Sequence, residues 1–318
     1  MTSSTQIFSE AAGRRARRAP SQPRPSSTAA SIRRWFSVWW FVLPALLFYL
    51  AATLVPAIRG AVEGFTDWDG LSSDIRWVGC GNFVAMYNDP VVVSAIAHTL
   101  IIVMSLTIIQ NVFGLLLALG VNSRIKTARI LSAIFFAPAI VTPIVVAFLW
   151  QYLYAPFGVL SSAIMSFGVE SPDWLGDSNI ALLSIIAVII WQYSGYSMVI
   201  FLAGLQGIPP EVLEAAELDG AGPVRKLWSV QLPLLGPAVL VNVLLTIVHG
   251  LKLFDVVWVM TQGGPGTATQ TLSTLIFQNA FAFNKVGYSN AIALVLTVIA
   301  LPVAIIQFRV VGIKRSGR

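Results

Sequence analysis

After residue 34 the chain alternates long apolar runs with short polar stretches. An α-helix needs about 20 apolar residues to cross the hydrocarbon core of a bilayer. Six runs meet that length: 35–58, 92–120, 128–154, 180–205, 234–259 and 287–309. The pattern predicts an all-α polytopic membrane protein with six transmembrane helices. Pro44, Pro56, Pro138, Pro143 and Pro302 fall inside the runs and predict kinks or breaks, whose freed carbonyls need partners in protein or water. Pro138 and Pro143 predict that the third span bends where it packs against its neighbours.

Composition agrees with this class. Of 318 residues, 56% are apolar and 11% charged, where soluble domains carry about 25% charged residues. Seven arginines lie in the first 34 residues. They stand directly before an apolar span, which favours inner-leaflet contact and topology setting over nucleic-acid binding. The arm 1–34 is predicted to be disordered and does not read as a cleaved signal peptide. Basic residues cluster again at Arg124, Lys126 and Arg129, at Arg225 and Lys226, and at Lys314, Arg315 and Arg318, whereas the loop 155–179 has none. This alternation predicts cytoplasmic termini and a cytoplasmic loop between the fourth and fifth spans. The expected divisions are an arm (1–34), a membrane domain (35–310) with its loop at 206–233, and a tail (311–318).

Catalytic and metal signatures are missing. No lysine-bearing phosphate loop, His-Glu-x-x-His pair or nucleophile elbow occurs, and the histidines are His98 and His249 alone. One cysteine, Cys80, excludes an internal disulfide or a thiolate cluster built by this chain. The sequence therefore points to moving something rather than transforming it.

Polar groups inside membrane spans are costly and mark pathway candidates. In the fifth span Thr246, His249, Lys252 and Asp255 recur every third residue, a polar stripe on one side of a helix, with Gly250 a gap beside it. The stripe reads either as the lining of a substrate passage or, at Lys252 and Asp255, as a structural pair. In the fourth span Gln192, Tyr193, Gly195 and Tyr196 cluster, and Gln192 and Tyr196 share a face. A tyrosine ring with an amide suits a sugar; close helix packing at Gly195 is the alternative. Gln110 and Asn111 read as interhelical hydrogen bonds.

The loop at 214–233, EAAELDGAGPVRKLWSVQLP, carries more pattern than a connector requires. Pro209 and Pro210 suit a helix start. Glu211, Glu214 and Glu217 are favoured near its N-terminus. Val212, Leu213 and Ala216 form its apolar side. Asp219, Gly220 and Pro223 end it, and a second short helix over 223–230 carries Arg225 and Lys226. Helices this short need a partner surface.

Glu214-Ala215-Ala216, then Gly220, then Val230 and Leu232-Pro233, resembles the hallmark of binding-protein-dependent ABC importer permeases, with valine in place of isoleucine at 230. Leu253-Phe254-Asp255, Thr261-Gln262-Gly263-Gly264-Pro265, Gly79 and Asn82-Phe83 resemble the carbohydrate branch, of the maltose and glycerol-phosphate type. The resemblance implies a type I ABC importer permease fold in a prokaryotic inner membrane, and no enzymatic activity or cofactor in this chain. ATP and magnesium would belong to a cytoplasmic ATPase dimer. A homologous second permease and an external solute-binding protein would be the other partners, with lipid around them. Glu214, Ala215, Ala216, Asp219, Gly220, Arg225, Lys226, Leu232 and Pro233 would then couple to the ATPase. Gln192, Tyr193, Gly195, Tyr196, Thr246, His249, Gly250, Lys252 and Asp255 would lie in the substrate pathway. An ion-coupled carrier using Lys252 and Asp255, and an ABC permease for a non-sugar solute, stay open as alternatives.

Overall fold

A computed structural model describes residue 40, 42–122 and 127–315, with side chains undescribed at 304 and from 307 onward. The expected arm, Arg124, Lys126 and the end of the tail lie outside the described residues. The chain divides by its contacts into residues 1–57 and 58–318. Helix α1 (Val42–Glu63) begins in the first unit, and everything below concerns the second.

That second unit is helical, and among the described residues its extended pairing is limited to an isolated bridge between Thr66 and Trp77. In chain order come α2 (Gly81–Asn88), α3 (Pro90–Asn122), α4 (Ala128–Ile140), α5 (Pro143–Tyr154), α6 (Val159–Ser166) and α7 (Ala181–Gln206). Then follow α8 (Pro210–Leu218), α9 (Pro223–Leu234), α10 (Gly236–Leu251), α11 (Asp255–Thr261), α12 (Leu272–Phe277) and α13 (Val286–Arg315). Among the described residues, five helical stretches are long and apolar enough to span a membrane, or six when the bent pair α9–α10 counts as one.

Two expected spans are corrected. The run 128–154 is two helices, because Pro143 offers no N–H and forces the residue before it out of helical geometry. Thr142 accordingly has φ −61° and ψ 142°, and Pro143 becomes the first residue of α5. Pro138 stays inside α4. The run 234–259 breaks at Lys252, whose backbone leaves the helix at φ −96°, ψ 4°; Asp255 then opens α11. The predicted continuous stripe is therefore divided between two helices. In this arrangement Lys252 and Asp255 are both exposed, while Leu253 and Val256 are buried.

Helix α7 is apolar on nearly every side, as befits a buried helix, and it packs against both α3 and α4. Small residues permit the close approach. A Cβ on Gly195 would lie 2.0 Å from the Phe135 carbonyl oxygen of α4, and one on Gly114 would lie 2.4 Å from Ser197 Cβ. Three apolar clusters among the described residues hold the bundle. The first joins Ile185 and Ile189 of α7 to Val146 of α5 and Val256 of α11. The second joins Val92 and Ala95 of α3 to Leu272 and Ile292. The third joins Ala118 and Phe201 to Ile208 and Leu235, under the polar loop.

Because a Cβ at 195 meets backbone rather than a flexible side chain, Gly195→Ala is expected to cost about 1–3 kcal/mol by overpacking. Gly236→Ala, where nothing lies within 4 Å, should leave stability unchanged. Thermal unfolding of the two variants in detergent checks this: equal midpoints would show that the α4–α7 contact is not tight.

Candidate functional site

The loop between α7 and α10 is built by local rules. Pro210 occupies the first helical position of α8, and Glu211 sits in the first turn. At the other end Ala221 N–H donates to Ala216 O and Gly220 N–H to Glu217 O, both at 3.0 Å, with Gly220 at φ 75°. This is a Schellman closure, whose left-handed residue favours glycine. Lys226 Nζ donates to Glu217 Oε1 at 2.5 Å, tying α9 back to α8. The predicted second helix runs further than 230: α9 continues to Leu234 through a wide turn at Leu227–Gln231 and bends by 69° into α10. Leu235 is buried at that bend.

One side of α8 is seated and the other is bare. Leu213 packs on the apolar cluster beneath, and Ala216 is buried. Glu214, Ala215 and Asp219 face outward, as do Arg225 and Pro233, while Leu232 is half-buried. Beside them Leu218 is 90% exposed, Val224 69% and Trp228 68%. These bare apolar side chains stand on short helices beside the acidic groups Glu214 and Asp219.

The polar residues of α7 divide between faces. Gln192 is fully buried and its Nε2 donates to Val141 O at 3.0 Å. It thereby satisfies a carbonyl freed by the α4–α5 break. Tyr196, one turn further on, is exposed instead. Tyr193 turns to α10, where its ring meets His249 edge-on with centroids 4.4 Å apart. Gly250 lies against α3, with a Cβ position 3.1 Å from Val103 Cα. Thr246 is buried and accepts from Asn111 Nδ2 at 3.2 Å. The structure thus brings Tyr193 and His249 together and directs Gln192, Gly195 and Gly250 toward helix contacts. The ion pairs among the described residues are Arg59–Glu63, Arg76–Asp67 and Lys226–Glu217. Lys252 and Asp255, on either side of the break, do not form one.

Gln110 and Asn111 are interhelical hydrogen-bonders as expected, and the structure supplies the pairing that sequence does not. Gln110 Nε2 donates to Ser197 Oγ at 2.9 Å, and Asn242 Nδ2 donates to Asn111 Oδ1 at 2.8 Å. Asn111 thus bridges to two residues of α10, and its neighbour Gln110 bridges to α7. Asn242 lies one turn before Thr246, so helical spacing was the available signal.

Comparison with known proteins gives a consistent set. Residues 110–312 match the family model described as binding-protein-dependent transport system inner membrane component. The chain is 33% identical over 273 residues to the multiple sugar-binding transport system permease protein MsmF of Streptococcus mutans, covering 85% of this chain and 93% of that one. It is 30% identical over 323 residues to the diacetylchitobiose uptake system permease protein NgcF of Streptomyces coelicolor, covering 97% and 91%. Among solved structures it resembles a bacterial ABC transporter involved in import of the acidic polysaccharide alginate, with TM-score 0.78 and 21% identity over 88% of this chain and 96% of that one.

Asn111→Leu strips partners from both Asn242 and Thr246. Interhelical hydrogen bonds in membranes contribute about 0.6 kcal/mol on average and up to about 1.7, so a loss of about 1–2 kcal/mol is expected. Denaturant unfolding in mixed micelles reads it, and a wild-type midpoint would show that the network contributes nothing.

Proposed function

The chain belongs to the family of binding-protein-dependent transport system inner membrane components, and on that premise we propose that it is the permease subunit of an ATP-driven importer for a sugar or sugar-like solute. The sugar reading is supported by the relatives' names, which include multiple sugars and diacetylchitobiose. It is supported again by the outer-loop motifs, Leu253-Phe254-Asp255 and Thr261-Gln262-Gly263-Gly264-Pro265. A second, homologous permease completes the pathway, and a solute-binding protein delivers cargo on the side opposite α8. Both termini and the loop 206–233 face the cytoplasm in this reading.

The observation that carries the coupling role is the two-sided α8–α9 unit. Its inner face is packed on the helix bundle through Leu213 and Ala216. Its outer face offers Leu218, Val224 and Trp228 beside the Glu214 carboxylate. An ATPase subunit with an apolar cleft and a basic group for Glu214 fits this face. Closure of two such ATPases around ATP and magnesium would pull on α8. Because α9 runs through the 69° bend into α10, the pull reaches the Tyr193–His249 contact and the Asn111 network within a single connected path. Tyr193, Tyr196 and His249 are assigned to the lining of the passage. Gln192, Gly195, Thr246 and Gly250 are assigned to holding its walls.

Two substitutions test the coupling surface. Glu214→Ala combined with Gly220→Asp should reduce solute uptake at least tenfold and release the ATPase subunit from the purified complex. Gly220→Asn should do less damage than Gly220→Val, since asparagine tolerates the left-handed backbone. Uptake and co-purification that both survive Glu214→Ala/Gly220→Asp would overturn the assignment.

A further inference from the structure

At the end of the bundle opposite α8, the segment between α1 and α3 meets the segment between α11 and α13. Asn82 Nδ2 donates to Gly64 O at 2.9 Å and to Thr66 O at 2.8 Å. Gly287 N–H donates to Trp68 O at 2.8 Å. A Cβ on Gly287 would lie 2.2 Å from Thr66 O, so the two backbones meet without room for a side chain. Between these segments lies a cavity of about 700 Å³, within the range of about 300–1,000 Å³ typical of small-molecule sites.

The cavity walls combine hydrogen-bonding groups with rings: Trp68, Asp89, Gln278, Asn284, Lys285 and Tyr288 are among them. The groups are held before any ligand arrives. Asp89 accepts from Val91 N–H through Oδ1 at 2.9 Å, capping α3, and from Tyr288 OH through Oδ2 at 3.3 Å. The Gln278 amide accepts from Gln270 and donates to Gln262 O at 3.1 Å. Lys285 N–H is anchored on Asn279 O at 2.7 Å, while its side chain is exposed and makes no ion pair among the described residues. Charge in the cavity is nearly balanced. Asp67, which also lines it, is paired with Arg76 at 3.0 Å, leaving one carboxylate, Asp89, against one ammonium, Lys285. A site for an anion or a cation would carry an excess of one sign. A neutral wall of amides, a carboxylate and aromatic rings instead matches a ligand with many hydroxyls and an apolar ring face.

We propose that this cavity is a binding site for a neutral sugar ring, separate from the helix-lined passage and placed where solute enters. The placement and the solute class rest on the function proposed above; the cavity and its balanced charge do not.

The test uses the purified transporter with its co-expressed subunits, without the solute-binding protein. Saturation-transfer NMR is recorded with maltotriose and with N,N′-diacetylchitobiose as probes. Ala85 lines the cavity from the exposed side of α2, so Ala85→Trp fills it without disturbing a core. Asn284→Gly removes one amide while keeping the left-handed backbone at φ 51°. The wild type should transfer saturation to at least one probe. Ala85→Trp should lower that signal at least fivefold and Asn284→Gly at least twofold, with unfolding midpoints unchanged. No signal from either probe with the wild type, or a signal unaffected by Ala85→Trp, overturns the proposal. So does an Ala85→Trp variant that loses docking of the binding protein while its sugar signal persists. Failure of the permease reading is separate: no ATPase subunit would then co-purify with the wild-type chain.

Discussion

A helix that breaks inside an apolar layer must find partners for the backbone groups it frees, and this requirement organises the bundle. The break between α4 and α5 exposes the Val141 carbonyl, and Gln192 of α7 supplies the donor. That bond is available only because α7 approaches α4 closely at Gly195. The same helix then presents Tyr193 and Ser197 toward α10 and α3. One central helix therefore repairs the break on one side and carries the polar contacts on the other. Removing the glycine would disturb both, since the break and the contact share α7 as their common wall.

The loop at the other end follows the opposite logic. It leaves apolar groups without cover. Burying apolar surface contributes about 25 cal/mol per Å², so exposed Leu218, Val224 and Trp228 are a cost that a partner surface would recover. The turn at Gly220 and the Glu217–Lys226 ion pair fix the relation of α8 to α9 before any partner arrives. The ion pair itself contributes little, because Glu217 is largely exposed. The closure by backbone hydrogen bonds gives the turn its shape.

Much of this was legible in the chain. Apolar run length located four of the membrane-length helices, though not the one over Pro143–Ser166, and prolines and glycines located the loop's start, turn and restart. Pro143 marks the break in the third run; Gln192 stands out for its polarity, but the sequence offers no means of seeing that it donates to the Val141 carbonyl. Periodicity misled at the fifth span. A three-residue recurrence from Thr246 to Asp255 assumes an unbroken helix, and whether the helix survives depends on Leu253 and Phe254 finding a core. Leu253 is buried, and the Phe254 ring stacks on Trp258 at 5.6 Å. Such tertiary choices leave no local trace. The cavity between the end segments was invisible for the same reason: its walls come from segments about two hundred residues apart, joined by backbone contacts such as Gly287 with Trp68.

The asymmetry between the two ends of α10 bears on how a bundle like this turns. At its start α10 follows α9 across a one-residue turn, bent by 69° at the buried Leu235. At its finish it stops at Leu251, and the chain re-forms a helix only from Asp255. A one-residue turn seated in the core transmits displacement, whereas a break of three residues absorbs it through a few backbone angles. Motion imposed at α8 and α9 would thus move α10 against α3 and α7 while α11 stays packed on α5 through Val146, Val256 and Val257. The contacts sheared are the Asn111 hydrogen bonds and the Tyr193–His249 edge. Each is worth about a kilocalorie per mole, small enough to be remade in a second register and directional enough to define the first. Gly250, seated on Val103, lets the two helices lie close enough for that exchange to be sharp.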